Sequence, residues 1–275
     1  MSIENKIDSA IKIMQMAGKQ AAEFGEPVEL AYSGGKDSDV ILELAKMSGI
    51  EYRAIYKNTT IDPKGTIQHV RENGVEIRQP KENFFTLIRK HGFPSFRFRF
   101  CCQYLKEYKI LNTAVWGVRA DESPARKKLY TTFNFCKPYS THIKVNVFAP
   151  IFDWSLDDVK EFVLSRNLKL APYYYNQDGT IDFSRRLGCL GCQLQYNRGI
   201  EDFKQNPNFL RAYLHAGAKW CATHPRKLFD DVYELFIYRV FYKKTEDYIM
   251  DFKSNSLFER KSGKEYLEQY FNTKL

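Results

Sequence analysis

The stretch LAYSGGKDSDVILELA, residues 30–45, sets Ser33, Gly34, Gly35, Lys36, Asp37 and Ser38 between two apolar runs. Glycines accept positive φ and allow close approach to the backbone, so successive N–H groups can line an anion-binding nest. A helix starting here adds unpaired amides and the positive end of its dipole. Lys36 contributes a full charge, and Ser33 and Ser38 contribute hydroxyl donors. This donor set suits a pyrophosphate, while a capped strand-to-helix turn is the plainer reading. The glycine spacing is neither that of the nucleotide-binding P-loop nor that of the dinucleotide G-x-G-x-x-G. Four cysteines in two tight pairs are the second chemical feature: Cys101 and Cys102 in RFRFCCQYLKEYKI, Cys189 and Cys192 in RRLGCLGCQLQ. Folded together they form a four-thiolate site suited to Zn²⁺ or an iron–sulfur cluster. Structural zinc is usually built from spaced pairs, so the vicinal pair favours a cluster. A redox-active C-x-x-C with unrelated cysteines, or four packing residues, are the alternatives.

Elements must position these groups. PVELAYS reads as a short buried strand, 38–47 as a helix, and IEYRAIYKN as a second strand. A helix opened by Pro63 and closed by Gly74 leads to the strand VEIRQP, then to a helix ending at Gly92. A further helix follows Cys102, then the strands TAVWGVR and KVNVFAPI, and a helix with a near capping box at Ser155 and Asp158. Strands alternating with helices predict a doubly wound α/β domain with a mostly parallel sheet over 1–195. Residues 196–275 read as a helical C-terminal extension packed on it, with 226–252 as one aromatic helix.

Composition bounds the partners. The 275 residues are 44% hydrophobic and 27% charged, which is globular. A formal charge of +9 favours a polyanion, nucleotide or nucleic acid. No apolar run has membrane-spanning length, so a cytoplasmic protein with no membrane partner is expected. Clustered cysteines in such a compartment are more often metal ligands than disulfides.

SGGKDS after a first strand resembles the PP-loop of the adenine nucleotide alpha-hydrolase superfamily, whose members split ATP into AMP and pyrophosphate. The resemblance implies that Ser33, Gly34, Gly35, Lys36, Asp37 and Ser38 form the phosphate site. Lys36 would stabilise the leaving pyrophosphate, and Asp37 would help place Mg²⁺. Cys-Cys, a long gap, then Cys-x-x-Cys resembles the adenylyl-sulfate reductases of the phosphoadenosine phosphosulfate (PAPS) reductase family, implying a [4Fe-4S] cluster on Cys101, Cys102, Cys189 and Cys192. CCQYLK places Lys106 where that family has a lysine that tunes the cluster. GVRADESPAR places Gly117, Arg119, Glu122, Ser123 and Arg126 on its substrate loop. By that likeness Gly117 and Arg119 contact the nucleotide, and Arg119 and Arg126 join Lys36 as catalytic residues. A solvated basic loop is the alternative for both arginines.

The resemblance covers about 25–195 and departs from the sulfonucleotide reductases twice. The ATP-type loop is intact, and no cysteine follows Cys221 to serve as a C-terminal nucleophile. Both departures favour an ATP-using relative that adenylylates an acceptor and supports sulfur transfer. It would work with a sulfur donor or thiol protein, and its acceptor would be a nucleic acid at most by analogy. The alternatives are a PAPS or adenylyl-sulfate reductase releasing sulfite, and a non-catalytic nucleotide- or nucleic-acid-binding module with a structural metal. Cys136 and Cys221 are single cysteines that read as core, with a persulfide carrier as the alternative for either and the reductase nucleophile as one for Cys221. Asp62 is a candidate for Mg²⁺, for ribose, or for capping the helix at Pro63. FRFRF, 96–100, and the Tyr/Phe/Lys-rich tail have the composition to stack on and neutralise nucleic acid, with packing as core the plainer reading of aromatics at helical spacing.

Overall fold

β1 (Val28–Tyr32) lies between β2 (Tyr52–Lys57) and β4 (Thr113–Trp116), parallel to both. A central strand of this kind is buried on both faces, which accounts for the nearly unbroken apolar run leading into the glycines. β3 (Glu76–Arg78) and β6 (Asn146–Phe148) extend the sheet in parallel, and β5 (Phe133–Phe135) closes one edge antiparallel to β6. The order is β3-β2-β1-β4-β6-β5. Progress from β1 runs outward in opposite directions through β2 and through β4. The crevice at the carboxyl ends of β1 and β4 is therefore the topological switch point, where open α/β sheets bind ligands. This is the doubly wound, mostly parallel α/β architecture expected from the alternating strands and helices.

This computed structural model describes residues 2–129, 131–135, 145–195, 197, 199–225, 228–254 and 262–275; for 125, 126, 129 and 133–135 it describes the backbone alone. The chain divides into two compact units that interleave in sequence. The first comprises Met1–Asn58, Asp62–Pro80 and Leu105–Leu187; the second comprises Thr59–Ile61, Lys81–Tyr104 and Gly188–Leu275. The sequence-based boundary near 195 falls inside the second.

The first unit holds the sheet with α1 (Ile3–Ala22), α2 (Lys36–Ser48) and α3 (Thr66–Glu72). α1 starts at Ser2, whose hydroxyl accepts from Asn5 N, and buries Ile3, Ala10, Met14, Ala17 and Ala21 along one stripe. With Leu30, Ile41, Leu44 and Phe162 they form the main core. Burying a side chain of this size stabilises the fold by about 1.5–3 kcal/mol.

The second unit contributes α4 (Phe84–His91) and most of α5 (Phe100–Leu105). α6 (Pro124–Leu129) and α7 (Leu156–Ser165) belong to the first unit. α8 (Ile200–Gln205), α9 (Pro207–Thr223), α10 (Val232–Phe241), α11 (Thr245–Tyr248) and α12 (Gly263–Phe271) complete the second. Its core is aromatic. Phe93 stacks on Tyr213 at 4.7 Å between centroids, and Phe203 meets Tyr213 and Phe236 edge-on. No described helix is long and apolar enough to cross a membrane.

Four local expectations change. α2 begins at Lys36, earlier than read, because Gly35 is extended and already accepts from Ser38 N and Asp39 N. α3 begins at Thr66, not at Pro63, because Gly65 takes φ +89 before it. The cysteine pair lies inside α5 and does not precede it. The aromatic segment 226–252 breaks where Tyr242 turns extended, so α10 and α11 are separate and a short π-helix follows at Ile249–Ser254.

Candidate active site

Gly34 holds φ +77, a left-handed value that strains any other residue type, and its added Cβ would meet Thr66 Cγ2 at 3.0 Å. The chain can then turn out of β1 directly into α2. Ser38 Oγ closes the turn on Gly35 O at 2.6 Å, and Ser33 Oγ accepts from Gly35 N at 3.4 Å. The loop residues expected from the sequence therefore form one bend at the carboxyl end of β1.

The loop after β4 meets this bend. Gly117 is packed so closely that a Cβ would lie 2.9 Å from Asp37 O. Arg119 Nε donates to Asp37 Oδ1 at 2.7 Å, and Lys36 Nζ lies 3.5 Å from Asp37 Oδ2. Lys36 and Arg119 are each only 4% exposed. Two almost fully buried cations thus flank one carboxylate. Arg119 is further held by Asp121 at 3.2 Å and by Trp154 O at 3.4 Å, so it ties the two loops together. Lys36 Nζ also donates to Arg185 O at 3.2 Å. The side chain of Arg126 lies outside the described residues, as does Cys136.

Several residues here have no signal in the local sequence. The buried hydroxyl of Tyr174 accepts from Lys36 N at 3.1 Å and from Leu187 N at 3.4 Å. Burial holds this phenol neutral by raising its pKa, against the two amide bonds. Behind the bend, Asp39 accepts from Tyr32 OH and faces His69 Nε2 at 3.0 Å. Burial pushes the Asp39 carboxyl above the usual range, while His69 and Tyr32 oppose the shift. A cavity of about 170 Å³ opens over this pair between α2 and α3, lined also by Glu43, Lys46, Glu72 and Lys169. It is separate from the bend. Asp62 accepts from Tyr56 OH, and α3 begins beyond it, so it does not cap that helix.

All four paired cysteines gather in the second unit. Burial, a hydrogen bond to Cys102 and the charges of Cys102, Cys189 and Cys192 raise the Cys101 thiol pKa, the bond to Cys102 most. The C-x-x-C loop is shaped by Gly191, at φ +66, whose N–H donates to Asp202 Oδ2 at 2.9 Å. Phe203 Cζ would lie 2.7 Å from a Cβ there, so no side chain fits. Gln195 Nε2 donates to Cys189 O at 3.2 Å. Tyr213 is fully buried near Cys101 and Cys192, and its hydroxyl makes no hydrogen bond. Among the described residues no three His, Cys, Asp or Glu side chains meet as a metal-binding group. The thiols are therefore gathered without being closed into coordination geometry. Their chemistry fits a four-thiolate group even so: mutual repulsion disfavours four free thiolates, and an orphaned phenol beside them fits a donor to sulfur. Cys221 is a half-buried single thiol in α9, raised by burial. Lys106 is exposed just past α5, in the first unit.

Known proteins share these features to different extents. A protein of Methanocaldococcus jannaschii is 30% identical over 211 residues, covering 71% of this chain and 48% of the relative. A second from that organism is 29% identical over 187 residues, covering 61% and 36%. The chain thus spans about half of the first relative's length and less of the second's. Among solved structures, the phosphoadenylyl-sulfate (PAPS) reductase of Candida auris is 16% identical. It covers 66% of this chain and 95% of that one, with a TM-score of 0.44. FMN adenylyltransferase of Candida glabrata is 15% identical, covering 69% and 62%, with a TM-score of 0.46. The family described as phosphoadenosine phosphosulfate reductase domain matches residues 27–195. That span starts at β1, takes in the bend and the β4 loop, and ends beyond the second cysteine pair. By that match the chain belongs to the phosphoadenosine phosphosulfate reductase domain family, with a PP-loop for binding nucleotide.

Proposed function

We propose that the chain binds ATP and splits it to AMP and pyrophosphate by adenylylating an acceptor, which then receives sulfur. The observation that carries this reading is the intact SGGKDS bend at the switch point, with buried Lys36 beside it. In the proposed step an acceptor oxygen bonds to the α-phosphorus as the bond to the pyrophosphate oxygen breaks. Negative charge then accumulates on the leaving group, where Lys36 and the loop amides stabilise it. Fixed donors need no reorganisation at that moment, and a buried site strengthens their effect.

Arg119 keeps the β4 loop against the bend and so sets the place of the nucleotide. Arg126 is proposed, from its motif position, to hold the acceptor or the nucleotide. Asp37 is engaged by two cations, one at each carboxylate oxygen, and a part in placing Mg²⁺ would use the lone pairs that those contacts leave. Cys101, Cys102, Cys189 and Cys192 would hold a [4Fe-4S] cluster, with zinc as the fallback; when bound, a cluster supplies a site for sulfur or electrons. Tyr213 supplies a buried donor to that sulfur set, and exposed Lys106 a positive charge in the adjoining sequence.

Pyrophosphate release from ATP tests the reading. Turnover is expected, with Lys36→Ala lowering it roughly 10²–10³-fold, the usual loss for one transition-state donor. Thiol-dependent sulfite release from a sulfonucleotide, without ATP turnover, would replace it with the reductase reading.

A further inference from the structure

The segment joining α4 to α5 is built unlike the rest of the second unit. Ser95 and Phe98 exchange backbone hydrogen bonds at 3.1 and 3.2 Å, and Ser95 Oγ accepts from Phe98 N at 3.1 Å. This tight turn displays Phe96 at its tip, 73% exposed, beside Phe98 at 51%. His91 meets Phe98 edge-on at 6.4 Å and stacks on Tyr104 at 5.4 Å, and Tyr104 is 49% exposed. Phe100 sits under Phe98 and His91 at 5.5 and 5.0 Å and is buried. The rings therefore form a supported stack with its outer members open to solvent. An aromatic cluster that served only as core would bury those members.

Charge alternates with the rings. Arg97 and Arg99 are exposed and make no ion pair among the described residues, and the same holds for Arg89 at the end of α4. Across residues 81–104 Glu82 is the one acidic side chain, and Lys90 already neutralises it. A protein partner of ordinary composition has no special use for this pattern. Single-stranded nucleic acid has two, because every base offers a face for stacking and every phosphate a charge for a guanidinium.

We propose that Phe96, Phe98 and Tyr104, with Arg89, Arg97 and Arg99, form a binding strip for single-stranded nucleic acid. Cys101 and Cys102 lie on α5 between Arg99 and Tyr104 of this strip. The inference goes beyond ATP cleavage and does not depend on it. Duplex is the weaker ligand, since its bases are already stacked and hide their faces. RNA and DNA share the chemistry invoked, and the strip reads no base edge.

Fluorescence anisotropy with the full chain, in the absence of ATP, tests this. The probes are labelled oligouridine, oligothymidine and a duplex of equal length. Tighter binding of either single strand than of duplex is expected, with the RNA and DNA arms naming the natural ligand. Phe96→Ala with Phe98→Ala should weaken single-strand binding roughly tenfold or more. Arg97→Gln and Arg99→Gln should each lower the slope of log affinity against log salt by about 0.7. Phe96 lies at an exposed tip, so Phe96→Ala alone preserves the fold, and ultraviolet crosslinking of the oligonucleotide to 95–104 gives a second reading. No single-strand binding, equal affinity for duplex, crosslinks elsewhere, or affinity unchanged by loss of the rings would each overturn the proposal. Because ATP is absent, failure here leaves pyrophosphate release untouched, and failure of that reaction leaves this binding standing.

Discussion

At the residue scale, the phosphate bend works through contacts that differ in how far they reach along the chain. Ser33 to Ser38 are neighbours in sequence, and their types alone announce an anion-binding turn. Tyr174 is 138 residues from Lys36, yet its phenol takes the Lys36 amide proton. Nothing in APYYYN distinguishes that tyrosine from the two beside it. Tyr174→Phe leaves two amides without an acceptor, an expected cost of about 1–3 kcal/mol. Pyrophosphate oxygens can replace the phenol, so ATP should raise the melting temperature more in this variant than in wild type. Equal shifts would show that these amides do not face the ligand. Gly117→Ala tests the other wall. Its Cβ would press on Asp37 O, and overpacking of this kind costs about 1–3 kcal/mol. Displacement of the bend should weaken ATP binding in calorimetry well beyond the loss in stability, because the clash falls on the ligand's own loop.

Elements were legible where a terminus carries its own signal. Ser155 and Asp158 form the full capping box expected for α7, and Gly92 ends α4. Pro63 misled because a proline suits the first turn of a helix and a tight turn equally, and Gly65 selects the turn. In 226–252 the aromatics are dense enough to suggest one amphipathic face throughout, and periodicity does not register a single extended residue at Tyr242. Burial raises the Asp158 carboxyl pKa, but hydrogen bonds from Lys6 and Ser155 outweigh it and leave the value below an aspartate's ordinary one. A carboxylate depressed in the folded state adds stability above its unfolded pKa and loses it as pH falls through its folded pKa. Stability attributable to Asp158 should thus be present at neutral pH and fade below about pH 4. Asp158→Ala should cost about 1 kcal/mol at pH 7 in urea titrations and progressively less in acid. A cost independent of pH would remove the carboxylate from that account.

For the whole molecule, the thiol pairs matter most. Cys101 and Cys102 sit on α5, and Cys189 and Cys192 on a glycine-shaped loop far along the chain; both belong to the second unit. Their gathering bears on metal chemistry more than either pair does alone. Protein purified without oxygen should carry iron and acid-labile sulfide, measured chemically, and Cys192→Ser should lose both together with thermal stability. A colourless protein loaded with zinc would assign the site to that metal instead. Tyr213→Phe should keep the fold, since its hydroxyl has no partner, and should shift the midpoint potential of the bound group. An unchanged potential would remove Tyr213 from the sulfur environment.

The sequence alone determined the α/β class, the glycine-lined bend after the first strand and the identity of the paired thiols, because each depends on residues adjacent in the chain or on periodicity within one element. Tertiary structure decided that Arg119 clamps Asp37, that Tyr174 caps the bend, that Asp39 and His69 are buried together behind it, and that the thiols converge. Those contacts join residues tens to more than a hundred positions apart. Side-chain types state which groups can bond, but only the packing of strands and helices determines which of them meet.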